Sequence, residues 1–405
     1  MKKWLMLAAV MLLCLALVIG IACGGGEEEE GVKKVKFGFG LPLSGILGAA
    51  AGLPAKQALE MKEEKMGEFT VGGERYVWDF IFEDSQGSAA GGVASTNKFI
   101  YDRGVDFIEQ SGADAGITAA MITEELDPPM ACFITGASVF DFGPDWPHTF
   151  GAHGTWDVEL LPLFDWLTRE HPEAKSVYMI YQAERFGLAQ DNAAEAACDY
   201  YGLEYHSEAV PSVTTEVYPI ATKVMSYEPD LVMSPFPQLF QIMWDMGYEG
   251  LCATFWWSEG YYEYVDWDKA AGKLVIITPQ TFAIEELSPE AALFFADYEE
   301  RYGAEAATSG FLALVLPDVM TQAVVKAGTA DREDVEVIVD VLETETFDTV
   351  LGPMYFGCEE INGIGHILLW PVPVCVALGP GEVQVAKVYT PEEVEALAEE
   401  IFLGR

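Results

Sequence analysis

Over residues 35–389 the chain alternates β-patterned runs with amphipathic helical runs, and this alternation limits the fold more than any other feature. VKFGFGLPL (35–43) leads to a helical pattern over 54–66, and RYVWDFIFEDS (75–85) to one over 89–102. VDFIEQSG (105–112) leads to a helix over 116–126 and then to ACFITGAS (131–138). Successive β-α-β units give parallel strands, because each helix carries the chain back to the end of the sheet at which the previous strand began. A second series starts at Trp156: a helix over 157–170, SVYMIYQ, a helix over 188–201, LEYHSEAV, a helix over 217–227, DLVMSPF, a helix over 239–247, LCATFWWS and KLVIITPQ. Three helices follow in a row, over 289–302, 310–327 (with Pro317 inside, where a kink is expected) and 332–345. The chain closes with strands around TVLGPMYF, HILLWPVPVCVA and EVQVAKVYT, then a helix whose Thr390 and Glu393 fit a capping box. The expected class is α/β, with helices on both faces of parallel sheets.

Charge and the N-terminus restrict the setting. The net charge is −43, with 65 acids against 22 Lys and Arg. Such a surface repels phosphate backbones and anionic lipid head groups, which excludes nucleic acid and a basic membrane patch. Lys2 and Lys3 precede an apolar run over 4–22, then Cys23 and GGGEEEEG, which reads as a secretory signal and a polar tether. Ala22-Cys23 resembles the bacterial lipobox, with Cys23 as the lipidated residue, although Gly20 stands where that pattern has a large aliphatic. The alternative is an uncleaved anchor helix, since nineteen apolar residues can just span a bilayer.

Enzyme motifs are missing. There is no G-x-S-x-G, H-E-x-x-H or G-x-x-x-x-G-K-[ST], and Gly38, Gly40 and Gly45 miss the dinucleotide spacing. The five histidines (His148, His153, His171, His206, His366) form no metal or triad spacing, so no metal and no cofactor are expected. Beyond Cys14 and Cys23, the cysteines at 132, 198, 252, 358 and 375 have no C-x-x-C spacing and read as small core residues; one bridge, Cys358 to Cys375, is open.

Polar residues at the carboxyl ends of strands mark the candidate site, because a parallel sheet binds ligands there. Ser111 ends VDFIEQSG, Ser138 ends ACFITGAS, and Glu259 follows LCATFWW inside the aromatic stretch TFWWSEGYYEYVDW. Hydroxyls and N–H groups at a helix N-terminus suit a carboxylate, and Glu259 suits an ammonium. An aromatic wall with a placed charge describes a small-molecule pocket; the alternative is a half-buried aromatic cluster with Glu259 at the surface.

At these residues the chain resembles the type I periplasmic solute-binding proteins of the leucine/isoleucine/valine-binding family, the soluble receptors of ABC importers. The resemblance rests on LPLSG, FEDSQG, FITGAS, RFG, SEG, the late AGT and LGPMYF, in that order. It implies two β/α lobes joined by three crossovers, placed near Gly151, Thr278 and Gly352, with the ligand closed between them. The implied domains are a signal (1–22), a tether (23–34), lobe 1 (35–151 plus 279–352), lobe 2 (152–278 plus 353–390) and a C-terminal helix (391–405). Carboxylate-binding loops match Ser111, Gly112, Ala113 and Asp114, and Gly136, Ala137 and Ser138; the ammonium-binding acid matches Glu259; pocket aromatics match Phe186 and Phe236. Ser44 stands in the opening loop, and Trp257 and Tyr261 line a wider aromatic site.

Departures bear on the ligand. Phe186 and Phe236 replace family tyrosines, and Glu109 and Asp114 bring acid to a loop that should receive an anion. Asp114 either caps its helix or faces the cleft, and Glu109 either faces outward or joins it. An acid facing the cleft means a ligand more cationic, or less acidic, than leucine. The resemblance implies a non-enzymatic monomer, tethered outside the membrane, that closes on an amino acid or analogue and presents it to a permease. The alternative from another class is a sensor ectodomain of the same fold acting with a signalling partner; a hydrolase comes third.

Overall fold

A computed structural model describes residues 31–153, 155–211, 214, 216–255, 264–277, 288–303 and 311–404. The first strand, β1 (Val32–Leu41), sets the pattern: Val35, Phe37, Phe39 and Leu41 alternate onto one buried face. After it come α1 (Leu53–Met66), the hairpin of β2 (Phe69–Val71) with β3 (Glu74–Asp84), and α2 (Ala89–Asn97), which continues as a π-helix over Lys98–Arg103. Then follow β4 (Phe107–Ser111), α3 (Ala113–Thr123), β5 (Cys132–Thr135) and β6 (Thr149–His153).

The chain then changes sheet. A helical turn at Trp156–Glu159 leads into α4 (Leu161–Glu170), β7 (Ser176–Gln182), α5 (Arg185–Tyr201) and β8 (Glu204–Val210). Next are α6 (Tyr218–Met225), β9 (Leu231–Met233), α7 (Pro237–Asp245), β10 (Leu251–Thr254) and β11 (Leu274–Ile276). The three consecutive helices are α8 (Pro289–Tyr302), α9 (Phe311–Ala327) and α10 (Val335–Thr344). Their apolar residues, such as Phe294, Met320 and Ile338, pack into one core with Phe37, Phe39 and Phe133 of the first sheet. Last come β12 (Phe347–Thr349), β13 (Gly352–Gly357), β14 (Ile367–Leu369), β15 (Val372–Gly379), β16 (Glu382–Tyr389) and α11 (Pro391–Leu403).

Among the described residues the strands form two sheets, ordered β12-β13-β14-β6-β5-β4-β1-β3-β2 and β16-β15-β11-β10-β9-β7-β8. The central strands of each are parallel, and antiparallel strands occupy both margins of the first sheet and the β15–β16 margin of the second, while the β8 margin is parallel. This is the α/β class that the alternating pattern implies, in the two lobes that the resemblance implies.

Two boundaries differ from the sequence reading. The third change of sheet falls at Trp370-Pro371, between β14 and β15, rather than near Gly352. Residues 353–369 therefore belong to the first sheet. HILLWPVPVCVA reads as one strand because it is apolar throughout, and hydropathy does not record which sheet a strand joins. The strand β6 itself carries no sequence signal. All five of its residues are buried, so no alternation marks it. Its last residues, Ala152 and His153, lie in the first sheet as well.

Candidate functional site

Each sheet has a place where successive strands turn to opposite sides, and in open α/β sheets that crevice, at the carboxyl ends of the strands, is where ligands sit. In the first sheet β1 lies between β3 and β4, so the crevice opens between the loops that follow Leu41 and Ser111. In the second sheet β7 lies between β8 and β9, and the crevice opens between the loops that follow Gln182 and Met233. Ser44 and Ser111 flank the first crevice; Phe186 and Phe236, both half-buried, flank the second.

The glycines make the first crevice tight. Gly112 (φ 102°) and Gly136 (φ 87°) hold left-handed backbone that other residues avoid. A Cβ on Gly136 would lie 3.9 Å from both the Gly112 Cα and the Ala113 nitrogen, so the loops after β4 and β5 touch through backbone. Ala113 and Ala137 are buried beside them. The N-terminus of α3 therefore meets the 136–138 loop at the cleft.

The side chains in these loops are occupied by the chain itself. Ser138 caps the 3-10 turn Val139–Asp141 in a capping box with Asp141. Its hydroxyl donates to Asp157 Oδ2 at 2.6 Å, and the Val139 N–H donates to the same oxygen at 2.9 Å. The Ser138 N–H donates to Asp141 Oδ2 at 2.9 Å. Burial pushes the Asp157 carboxyl up to about 6, opposed by the hydrogen bonds from Ser138, Val139 and Val158. In the opening loop, the N–H groups of Leu43 and Gln86 both donate to Asp84 Oδ1 at 2.9 Å. Burial alone would raise the Asp84 carboxyl, but the Ser44 hydroxyl and the Gln86, Leu43 and Ser44 N–H groups outweigh it and hold it below the ordinary range. The sequence pattern expects the Ser138 hydroxyl to receive a ligand carboxylate; Ser138-x-x-Asp141 is the signal that it is a cap.

One side chain spans the two lobes. Arg185, the first residue of α5, places Nη1 2.5 Å from Asp141 Oδ1 and Nε 3.6 Å from Asp114 Oδ1. Both aspartates belong to the first lobe and Arg185 to the second, so the three loops face one another. Asp114 lies exposed in the first turn of α3, whose N-cap position is held by Gly112. It is thus an acid at the cleft rather than the cap. The RFG triplet that carries the resemblance at Phe186 also holds Arg185, the residue that crosses the cleft.

Glu109 does neither of the things expected of it. It is fully buried in the first lobe, in register with Phe39 on β1 and Phe133 on β5. Neither of its oxygens has a hydrogen-bond partner. Burial pushes its carboxyl up to about 8; Thr135, on the next strand, opposes the shift without completing a hydrogen bond. Trp257, Glu259 and Tyr261 lie outside the described residues, as does Cys23. Cys132, Cys198, Cys252, Cys358 and Cys375 are all buried free thiols, so Cys358 and Cys375 are not bridged. His148 sits between Glu124 (2.7 Å) and Glu336 (3.0 Å), and His366 between the Thr149 carbonyl and Glu343 (both 2.8 Å). Among the described residues no group of His, Cys, Asp or Glu could hold a metal ion.

Comparison with known proteins agrees with this architecture. Residues 34–367 match the family described as periplasmic binding protein. A leucine binding protein from Thermotoga maritima superposes with a TM-score of 0.70 at 19% identity, covering 89% of this chain and 99% of that one. A solute binding protein of an ABC transporter from Rhodopseudomonas palustris, solved with 3,4-dihydroxybenzoic acid, superposes at 0.70 with 14% identity, covering 85% and 93%. The branched-chain amino acid transporter substrate binding protein of Streptococcus pneumoniae, solved with isoleucine, gives 0.68 at 17% identity, covering 89% and 100%. At these identities the likeness is one of fold. No curated protein matches the sequence.

Proposed function

The chain belongs to the periplasmic binding protein family, and from that premise we propose that it is the extracytoplasmic receptor of an ABC importer. Its ligand is a small amino acid or an analogue of one, held between the lobes. Binding involves no chemical change: contacts from both lobes favour the closed state, which is then presented to the permease. Phe186 and Phe236 form the apolar side of the pocket, the loops at 111–114 and 136–138 the polar side, and Glu259 receives the ammonium. Acylation at Cys23 tethers the molecule to the membrane.

The observation that carries this reading is the meeting of the two crevices. Arg185 reaches Asp114 and Asp141 from the opposite lobe, so the carboxyl ends of both sheets border one space. A protein of this kind closes on its ligand. Adding the ligand should shrink the radius of gyration in solution scattering and raise the melting temperature. At a hundred times the dissociation constant the stabilisation is about 2.7 kcal/mol. Tight binding with an unchanged scattering curve would rule the closing mechanism out. Glu259→Ala should weaken an amino-acid ligand by roughly thirty-fold or more, since removing one partner of a desolvated charge pair costs about 2–5 kcal/mol. Calorimetry that found amino acids bound within threefold of wild type would move Glu259 to the surface.

A further inference from the structure

We propose that the ligand is a small organic cation, a primary amine or a quaternary ammonium, that carries no carboxylate. This rests on the reading of the cleft as the ligand site and takes the ligand to be an amino-acid analogue that keeps the ammonium and lacks the carboxylate. The argument starts from what a carboxylate would need there: unpaired N–H and O–H donors and a net positive environment.

At two loops of the first lobe the donors are taken, and acids stand around them. At the 136–138 loop, the Ser138 hydroxyl and the Ser138 and Val139 N–H groups donate at 2.6–2.9 Å to Asp157 and Asp141. Two carboxylates of the chain itself already occupy the position an arriving anion would take. At the opening loop, the Leu43 and Gln86 N–H groups are given to Asp84 in the same way. At the N-terminus of α3, where the helix dipole would favour an anion, Asp114 supplies one. Arg185, a cation that reaches this rim from the second lobe, is shared between Asp141 and Asp114. Among the described residues acids therefore outnumber cations around the seat, and a ligand carboxylate would add a like charge to donors already committed.

Two further features suit a cation. Phe186 and Phe236 stand half-buried at the second-lobe crevice, and aromatic faces attract ammonium groups through the ring quadrupole. Below Ser111, two residues down β4 and on the same face of the sheet, lies Glu109, fully buried with both oxygens unpartnered. Its carboxyl, kept neutral by burial, brings no positive charge to the interior beneath the first crevice.

The test is calorimetry and solution scattering on the whole chain with matched trios, each an amine, the amino acid and the carboxylate of one side chain. 2-Phenylethylamine, phenylalanine and 3-phenylpropanoate form one trio. 3-Methylbutylamine, leucine and 4-methylpentanoate form another, with trimethylated amines added to each. The expected result is an amine or ammonium that closes the lobes and binds at least tenfold tighter than its amino acid, with the plain carboxylate weakest. Closure on an amino acid or a carboxylate in preference to the amine overturns the proposal and leaves the receptor reading standing. Absence of closure and of binding across all members overturns both. The variant Asp114→Asn/Asp141→Asn releases Arg185 and should move the preference toward the amino acid by tenfold or more. Asp114→Asn alone changes only an exposed position and should move it in the same direction by a few-fold. An unchanged preference in a folded variant also counts against the proposal.

Discussion

Glu109 has no partner for either carboxylate oxygen, and its burial pushes the carboxyl up to about 8. The folded value lies above the unfolded one, so folding favours the neutral form. That contribution is fully present below the ordinary carboxylate range and is lost as pH rises through 8. Glu109→Gln removes the charge while keeping the shape. It should flatten the pH profile between 5 and 9 and leave the variant more stable at pH 9. Each pKa unit is worth about 1.4 kcal/mol, which makes the gain a few kcal/mol. Urea midpoints at the two pH values decide it, and parallel profiles for the two proteins would show that Glu109 is paired or wet. At this scale the sequence named the residue and missed its surroundings. Whether an acid in VDFIEQSG faces water, cleft or core depends on what packs over β4, which local pattern does not carry.

The C-terminal helix α11 shows how an element can be legible locally and unread in its role. Its capping box was visible as Thr390-x-x-Glu393, and it forms: Thr390 Oγ1 accepts from the Glu393 N–H at 3.3 Å, and Glu393 Oε2 from the Thr390 N–H at 2.9 Å. Its contacts were not visible. Glu395 accepts from the Tyr355 hydroxyl (2.7 Å) and the Cys358 N–H (2.6 Å) of the first-lobe segment, and Glu400 from the Tyr200 hydroxyl (3.2 Å) of the second. Val394, Leu397 and Ile401 enter a core that holds Ile367 and Leu369 together with Leu161 and Phe164. The helix is a clasp across both lobes. Leu397→Ala should cost about 2–5 kcal/mol through the cavity it leaves, and Thr390→Ala about 1 kcal/mol through the lost cap. Chemical denaturation orders the two, and equal small losses would mean that α11 is peripheral.

Taken whole, the molecule carries a charge of −43 and a cation bridge across its cleft. These respond oppositely to salt. With 65 acids and 22 Lys and Arg, most acids have no cation to pair with, and self-repulsion outweighs the exposed ion pairs. Raising sodium chloride from about 50 mM to about 0.5 M shortens the screening length severalfold and should raise the melting temperature. A fall would mean that the surface pairs dominate. Arg185→Ala removes the bridge, whose exposed pairs are worth about 0–1 kcal/mol. The ligand-free variant should scatter with a larger radius of gyration than wild type at low salt, and the difference should vanish at high salt. Identical curves at both salts would show that the bridge does not bias closure.

Alternation of strand and helix, read from the residues alone, determined the α/β class, the two series and the strand ends on which a site could stand. It could do so because side-chain period is a local property: Val35, Phe37, Phe39 and Leu41 alternate whatever else the chain does. Tertiary structure alone decided where HILLWPVPVCVA divides between the sheets, that Thr149–His153 is a strand, and that Ser44 and Ser138 serve the chain's own carboxylates. Each of those depends on partners distant in sequence: which edge is unpaired, which helix covers a face, which acid arrives first at a donor. Asp157 lies nineteen residues beyond Ser138 and on the far side of a crossover, and only folding brings its carboxylate to the hydroxyl.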